Sequence, residues 1–146
     1  MPRSLPEDWI LPALDDRTRP FFTSGRLLLQ ACKSCGAVQH PPEDVCRRCQ
    51  AMEFETRESA GLGTVYSFTV IHHPVHPILE KAVPYAVALV QLDDFPHVRL
   101  VGNVLNVTPR EVRIGLRVKA TWQATRDPAT GEELLLPQWL AVKGAG

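Results

Sequence analysis

No charge of either sign prevails in this 146-residue chain, where sixteen lysines and arginines face sixteen aspartates and glutamates. A neutral chain has no global field to draw it onto polyanions or anionic membranes, which counts against nonspecific nucleic-acid binding and leaves only a local patch open. Long apolar runs are missing too. The N-terminal stretch MPRSLPEDWILPALDD carries prolines and acids where a secretory signal needs a continuous apolar segment, and no later run approaches the length of a membrane span. The expectation is a soluble, cytoplasmic protein. Local catalytic signatures are equally scarce: no serine sits in a G-x-S-x-G elbow, and there is no H-E-x-x-H pair and no glycine-rich phosphate loop. Asp93 and Asp94 are adjacent, so on a strand their carboxylates point to opposite faces, and they read as a turn rather than a cooperating acid pair. Catalysis by this chain alone is not expected.

Aromatic residues are few and prolines number 13, a balance that suits short strands and turns better than long helices. The composition shifts twice along the chain. An aromatic, proline-broken arm gives way to a segment holding every cysteine, and that segment to a valine- and leucine-rich run from Gly61 onward. The expected architecture is mainly β: an N-terminal helical arm over residues 1–26, a four-cysteine zinc ribbon over 27–56, and a C-terminal five-stranded OB-fold barrel over 57–146.

The cysteines stand as two C-x-x-C pairs, Cys32 with Cys35 and Cys46 with Cys49, separated by ten residues. A pair at this spacing sits on one tight knuckle with both sulfurs aimed at a single ion, and two knuckles complete a tetrahedron. Disulfides are the competing reading, but they seldom persist in the reducing compartment that a chain without a secretory signal implies. Zinc suits an all-thiolate tetrahedron best, and the same ligands also hold iron. Four protein ligands leave no open position for water or substrate, so the expected role is structural. Gly36 follows the first knuckle, and Gln50 takes the matching place after the second.

From Gly61 the sequence offers five strand candidates: GTVYSFTVIHH, PYAVALVQLDD, HVRLVGNVLNV, GLRVKATWQAT and LLLPQWLAV. In the fourth, Leu116, Val118, Ala120 and Trp122 alternate with Arg117, Lys119, Thr121 and Gln123, which predicts one buried and one wet face. The segment RDPATGE between the last two reads as a hairpin. Five strands in so short a span fit an OB-fold. Such barrels often bind oligonucleotides through cations and stacked rings. Here Arg99, Arg117 and Lys119 offer charge and Tyr66, Phe68 and Tyr85 offer rings, although simple barrel core explains the rings as well.

The order of parts is more telling than any one motif. RPFFTSGRLLLQACKSCGAVQHPPEDVCRRC, followed by GTVYSFTVIHHP, VPYAVALVQLDD and RIGLRVKATW, resembles a family that joins a rubredoxin-like zinc ribbon to a C-terminal OB-fold. Members are accessory proteins of acyl-CoA metabolism, partners of thiolase-type enzymes that include thiolases, hydroxymethylglutaryl-CoA synthases and the lipid-transfer-protein-like aldolases of steroid side-chain breakdown. The resemblance implies zinc on Cys32, Cys35, Cys46 and Cys49, a thiolase-like partner in a hetero-oligomer, and acyl-CoA at a shared site. It brings no catalytic motif.

Contact candidates beyond the cysteines each have a plainer reading. His72, His73 and His76 cluster in HHPVHP, where neutral imidazoles suit a ligand, a partner or a second metal, and where an exposed loop is the default. Arg99, Arg113, Arg117, Lys119 and Lys81 could meet the phosphates of coenzyme A, or simply solvate the barrel. The arm residues Trp9, Ile10, Leu11, Leu14, Phe21 and Phe22 cannot form a core alone. They either pack on the ribbon and barrel or dock on a partner.

Overall fold

A computed structural model describes residues 11–142; Trp9 and Ile10 of the arm lie outside the described residues. The expected helical arm shrinks, among the described residues, to a single short helix, α1 (Arg19–Thr23). Local chemistry favours a turn upstream of it. The Asp15 carboxylate accepts the N–H groups of Arg17 and Thr18, each at 2.9 Å, and Pro12 and Pro20 offer no N–H to a longer helix. Gly25, at φ 69°, ends the segment and turns the chain into the ribbon.

The ribbon is a three-stranded antiparallel sheet in the order β2-β1-β3, built from β1 (Leu27–Cys32), β2 (Val38–Gln39) and β3 (Phe54–Ser59). Leu27, Leu29 and Ala31 are buried on one face of β1. The five-stranded sheet follows as β4 (Leu62–Ile71), β5 (Tyr85–Leu92), β6 (Arg99–Asn103), β7 (Arg117–Arg126) and β8 (Glu133–Ala141). Its order is β6-β5-β4-β7-β8, antiparallel throughout.

Both ends of that order meet, through a parallel bridge between Val104 and Trp139 and a hydrogen bond from the Leu105 N–H to the Trp139 carbonyl at 2.9 Å. Asn106 secures the seam from the side chain: its Nδ2 donates to the Ala141 carbonyl and its Oδ1 accepts the Ala141 N–H. The five strands therefore close on themselves, as the strand count suggested.

The alternation expected along β7 holds only in part. Val118 is buried as expected, but so are Thr121 and Gln123, each 5% exposed, while Ala120 and Trp122 are half-buried. The reason is a second layer. Thr121 pairs with Gln138 and Gln123 with Leu136, and on the same hairpin the arm residues Leu11, Pro12 and Leu14 lie beside Leu134 while α1 packs on β8. A period-two pattern reports one covered face and is blind to the other being covered by a distant segment.

One continuous core joins the parts. Phe21, Leu27, Leu29, Ala31 and Val38 belong to the same buried cluster as Val65, Val90, Leu100, Val118 and Trp139. Polar ties reinforce the junction. The Asp94 carboxylate accepts from the Ser59 hydroxyl at 2.8 Å and the Ala60 N–H at 2.7 Å, and the His97 ring nitrogen lies 3.0 Å from the Val38 carbonyl. Asp93 turns the other way and meets Arg117 in a two-pronged pair at 2.7 and 2.5 Å. That pair holds the Asp93 carboxyl below the usual carboxylate range, through the Arg117 hydrogen bonds first and its charge second.

Candidate metal centre and its surroundings

Two knuckles with the same hydrogen-bond pattern build the centre. In the first, the Cys32 N–H donates to the Ala37 carbonyl and the Gly36 N–H to the Cys32 carbonyl; in the second, the Cys46 N–H donates to the Ala51 carbonyl and the Gln50 N–H to the Cys46 carbonyl. Both require a left-handed residue at the same place, supplied by Gly36 at φ 76° and by Gln50 at φ 64°. A glutamine side chain is strained there, so Gln50→Gly is expected to stabilise the ribbon by up to about 1 kcal/mol, read as a higher denaturant midpoint at unchanged metal content.

The four sulfurs lie within 4.8 Å of one another, with Cys32 and Cys49 at 3.6 Å and Cys35 and Cys46 at 3.7 Å. A tetrahedron of thiolates with metal–sulfur bonds of about 2.3 Å has edges of about 3.8 Å, so the donor set fits one divalent ion. Backbone N–H groups point at the sulfurs: Cys35 N lies 3.5 Å from the Cys32 sulfur and Arg48 N 3.4 Å from the Cys46 sulfur. Such donors favour thiolate. Backbone hydrogen bonding, led by the Cys49 N–H, pulls the Cys46 thiol down to about 6. The Cys32 thiol is lowered too, chiefly by the Cys35 N–H. At Cys49 the Ala51 N–H also favours thiolate, yet the crowding of Cys32, Cys35 and Cys46 sulfurs outweighs it and pushes the thiol up to about 12. Four crowded thiols cannot all ionise without a cation between them.

Lys33, Arg47 and Arg48 lie in the knuckles and offset the net negative charge of a tetrathiolate; Arg47 is shared with Glu43 at 3.3 Å. The second knuckle is held by two glutamines that no motif singles out. Gln30 and Gln39 are directly paired across β1 and β2, and the Gln39 amide donates to Gln30 at 2.7 Å while its oxygen accepts the Arg47 N–H at 3.0 Å. Gln30 in turn accepts the Glu43 N–H at 3.0 Å and donates to its carbonyl at 2.8 Å. A polar residue between Leu29 and Ala31 looks like an ordinary solvent-facing strand position, so only the fold exposes this role.

Phe21 and His40 join the arm to the ribbon. Their rings are 4.9 Å apart, and Phe21 also meets Phe22 edge to face at 5.1 Å. Phe21 is buried and Phe22 half-buried, so Phe21 packs on its own chain and has little surface left for a partner. Burial, helped by the Arg47 charge, pushes the His40 imidazole down from 6.5 to about 4. Between those values the unfolded chain takes up a proton that the folded one refuses. Stability present above pH 6.5 is therefore lost as the pH falls toward 4, by about 2 kcal/mol between pH 7 and pH 5. His40→Phe keeps the ring contact and removes the titration, so its denaturant midpoint is expected to fall less than that of the parent over the same interval. Equal losses would contradict a neutral, buried His40.

The remaining candidates do not converge. His72 and His73 are exposed beyond the end of β4, and His76 uses its Nδ1 to accept the Ile78 N–H at 3.2 Å, capping a short 3-10 turn. Tyr85 starts β5 opposite Ile71, near this loop. Arg99 pairs with Gln91 at the far end of β5, about 20 Å away at the usual rise per strand residue. There its guanidinium lies 4.0 Å over the Tyr66 ring. Arg117 is committed to Asp93 and Thr64. Among the described residues the cysteines are the one group of metal-ligating side chains brought together, and no helix is long and apolar enough to cross a membrane.

Comparison with known proteins gives this architecture a family. The model of the ChsH2 rubredoxin-like zinc ribbon domain matches residues 23–55, and that of the ChsH2 C-terminal OB-fold domain residues 56–123. A DUF35 domain-containing scaffold protein of Methanocaldococcus jannaschii is 34% identical over 98 residues, 66% of this chain and 67% of its own. A probable enoyl-CoA hydratase alpha subunit of Thermomonospora curvata is 42% identical over 77% of this chain and 32% of its own length. The 3-oxo-4,17-pregnadiene-20-carboxyl-CoA hydratase alpha subunit of Mycobacterium tuberculosis is 32% identical over 84% of this chain and 39% of its own. The chain thus spans only about a third of the length of these hydratase subunits. Among solved structures, a chain of the Ltp2-ChsH2(DUF35) aldolase matches with a TM-score of 0.74 and 36% identity, covering 90% of this chain and 98% of that one. With its ribbon, its barrel and the order that joins them all matched, the chain belongs to the ChsH2, or DUF35, family.

Proposed function

We propose that this protein is a non-catalytic accessory subunit that docks on a thiolase-type enzyme, a thiolase or an aldolase, and supports its carbon–carbon bond chemistry on an acyl-CoA. The observation that carries the reading is the likeness to a chain of the Ltp2-ChsH2(DUF35) aldolase over nearly its whole length. The scaffold name of the archaeal relative supports it, and the name of the mycobacterial hydratase subunit favours a steroid or lipid side-chain substrate. In this reading zinc fills the four-thiolate centre as a structural ion on Cys32, Cys35, Cys46 and Cys49, and the reacting groups belong to the partner. The organisation as arm 1–26, ribbon 27–56 and barrel 57–146 is part of the same proposal. So is a cytoplasmic location, because ligand thiols persist best in a reducing compartment.

An apolar patch on the barrel supports docking. Val101 is 68%, Ile114 69% and Tyr66 47% exposed; Tyr66 and Ile114 line one cleft, and Arg99, two residues from Val101 on β6, lies over the Tyr66 ring. His72, His73, His76, Tyr85 and Phe22 are secondary contact candidates, for the partner or for acyl-CoA at a shared site. An oligonucleotide reading has less support, since Arg117 is held by Asp93 and that same acidic residue lines the cleft beside Tyr66. Purification of the tagged protein from its native cells tests the choice. A stoichiometric thiolase-family enzyme, about one zinc per chain and no acyl-CoA turnover by the isolated subunit are expected. A lone protein, or one that arrives with nucleic acid, would overturn the proposal.

A further inference from the structure

The four ligands are unequal toward solvent. Cys32 and Cys46 are buried at 1% exposure, Cys35 is half-buried, and Cys49 is the exposed one. Their shielding differs in the same sense: the buried Cys32 sulfur accepts the Cys35 N–H at 3.5 Å and the buried Cys46 sulfur the Arg48 N–H at 3.4 Å. Among thiolates that hold one cation, the sulfur that solvent reaches is the first that a dissolved oxidant meets. The sulfur nearest to Cys49 is that of Cys32, at 3.6 Å in the opposite knuckle.

We infer that Cys49 is an oxidation site through which peroxide opens the metal centre. In the first step Cys49, kept as a thiolate by the cation it would help to hold, attacks one oxygen of hydrogen peroxide; the O–O bond breaks, hydroxide leaves, and the sulfur becomes a sulfenic acid. In the second, the Cys32 thiolate attacks the Cys49 sulfur, the S–O bond breaks, a second hydroxide leaves, and a Cys32–Cys49 disulfide forms. Two thiolates lose two electrons and one peroxide gains them. The ion changes no oxidation state. With one ligand withdrawn from each knuckle, Cys35 and Cys46 alone hold the metal weakly, and it escapes. The Gln39–Arg47 contact and the buried face of β1 do not depend on the sulfurs, so the loss is local and reversible. The modification is independent of the docking proposal, because it concerns the isolated chain.

Zinc-loaded full-length protein, treated with increasing hydrogen peroxide beside a chromogenic zinc chelator, provides the test. About one equivalent of zinc is expected to leave per peroxide consumed. Dimedone present during the reaction is expected to label Cys49 ahead of the other three, and peptide mapping of partly oxidised protein to find the Cys32–Cys49 disulfide first. Dithiothreitol and added zinc should restore the metal content. Retention of zinc at peroxide well above the protein concentration would overturn the inference. So would first labelling at Cys35, or a first disulfide between Cys35 and Cys46. Loss of partner binding in the earlier experiment would leave this result untouched, which keeps the two failures distinct.

Discussion

Cys46→Ser is expected to empty the metal centre and unfold the ribbon tip. A serine hydroxyl does not ionise near neutrality, so the variant offers three ligands where the fold presents four. Structural zinc in small modules contributes apparent binding free energy of about 10–16 kcal/mol, and in such modules that is folding energy. Around the second knuckle only Cys46 is buried, while Val45, Arg47, Arg48 and Met52 are exposed, and the Gln30–Gln39 pair reaches it through hydrogen bonds to Glu43 and Arg47. Metal analysis after dialysis against a chelator should fall from about one ion per chain toward none. Hydrogen exchange should lose protection at the Cys46 and Gln50 N–H groups, which bond within the second knuckle, while β5 and β8 keep theirs. A variant that holds its metal and its protection would refute the four-thiolate centre.

Trp139→Ala is expected to cost about 4 kcal/mol, a large share of the stability of an ordinary domain. Trp139 is 1% exposed and stands where β8 meets β6 to close the barrel. Its ring fills the space that Gly102 leaves open: a Cβ on Gly102 would lie 2.9 Å from the indole Cδ1. Removing the ring therefore leaves a cavity at the seam, where a single parallel bridge and the Asn106 clasp must then hold the strands. Urea unfolding measures the loss, and Trp139→Phe is expected to retain about half of it. Early exchange of the Leu105 N–H, which donates to the Trp139 carbonyl, would locate the opening at the seam. A loss under about 1 kcal/mol would mean that the barrel does not close on this ring.

The metal ligands were legible because each knuckle is a local structure. Two cysteines three residues apart share one turn, and the matching left-handed positions at Gly36 and Gln50 follow immediately. The strands of the barrel were legible for a similar reason, since Tyr85–Leu92 alternates between buried and half-buried residues at every step. The phase of β7 was not, because Thr121 and Gln123 are covered on a hairpin that also receives the arm, more than a hundred residues earlier. Nor did proximity in sequence make a site of the histidines, for His76 spends its ring nitrogen on its own turn.

What the sequence determined by itself is a chain of short strands with a four-thiolate clasp, since both follow from residue spacing over a few positions. Tertiary structure alone decided which residues stand behind that clasp. Gln30 and Gln39 pair across β1 and β2, His40 loses its water against Phe21, and Asp94 reaches back to Ser59 and Ala60. Each of these depends on segments that fold onto one another from far apart along the chain, and burial and hydrogen-bond partners gained in that way leave no period or motif in the sequence.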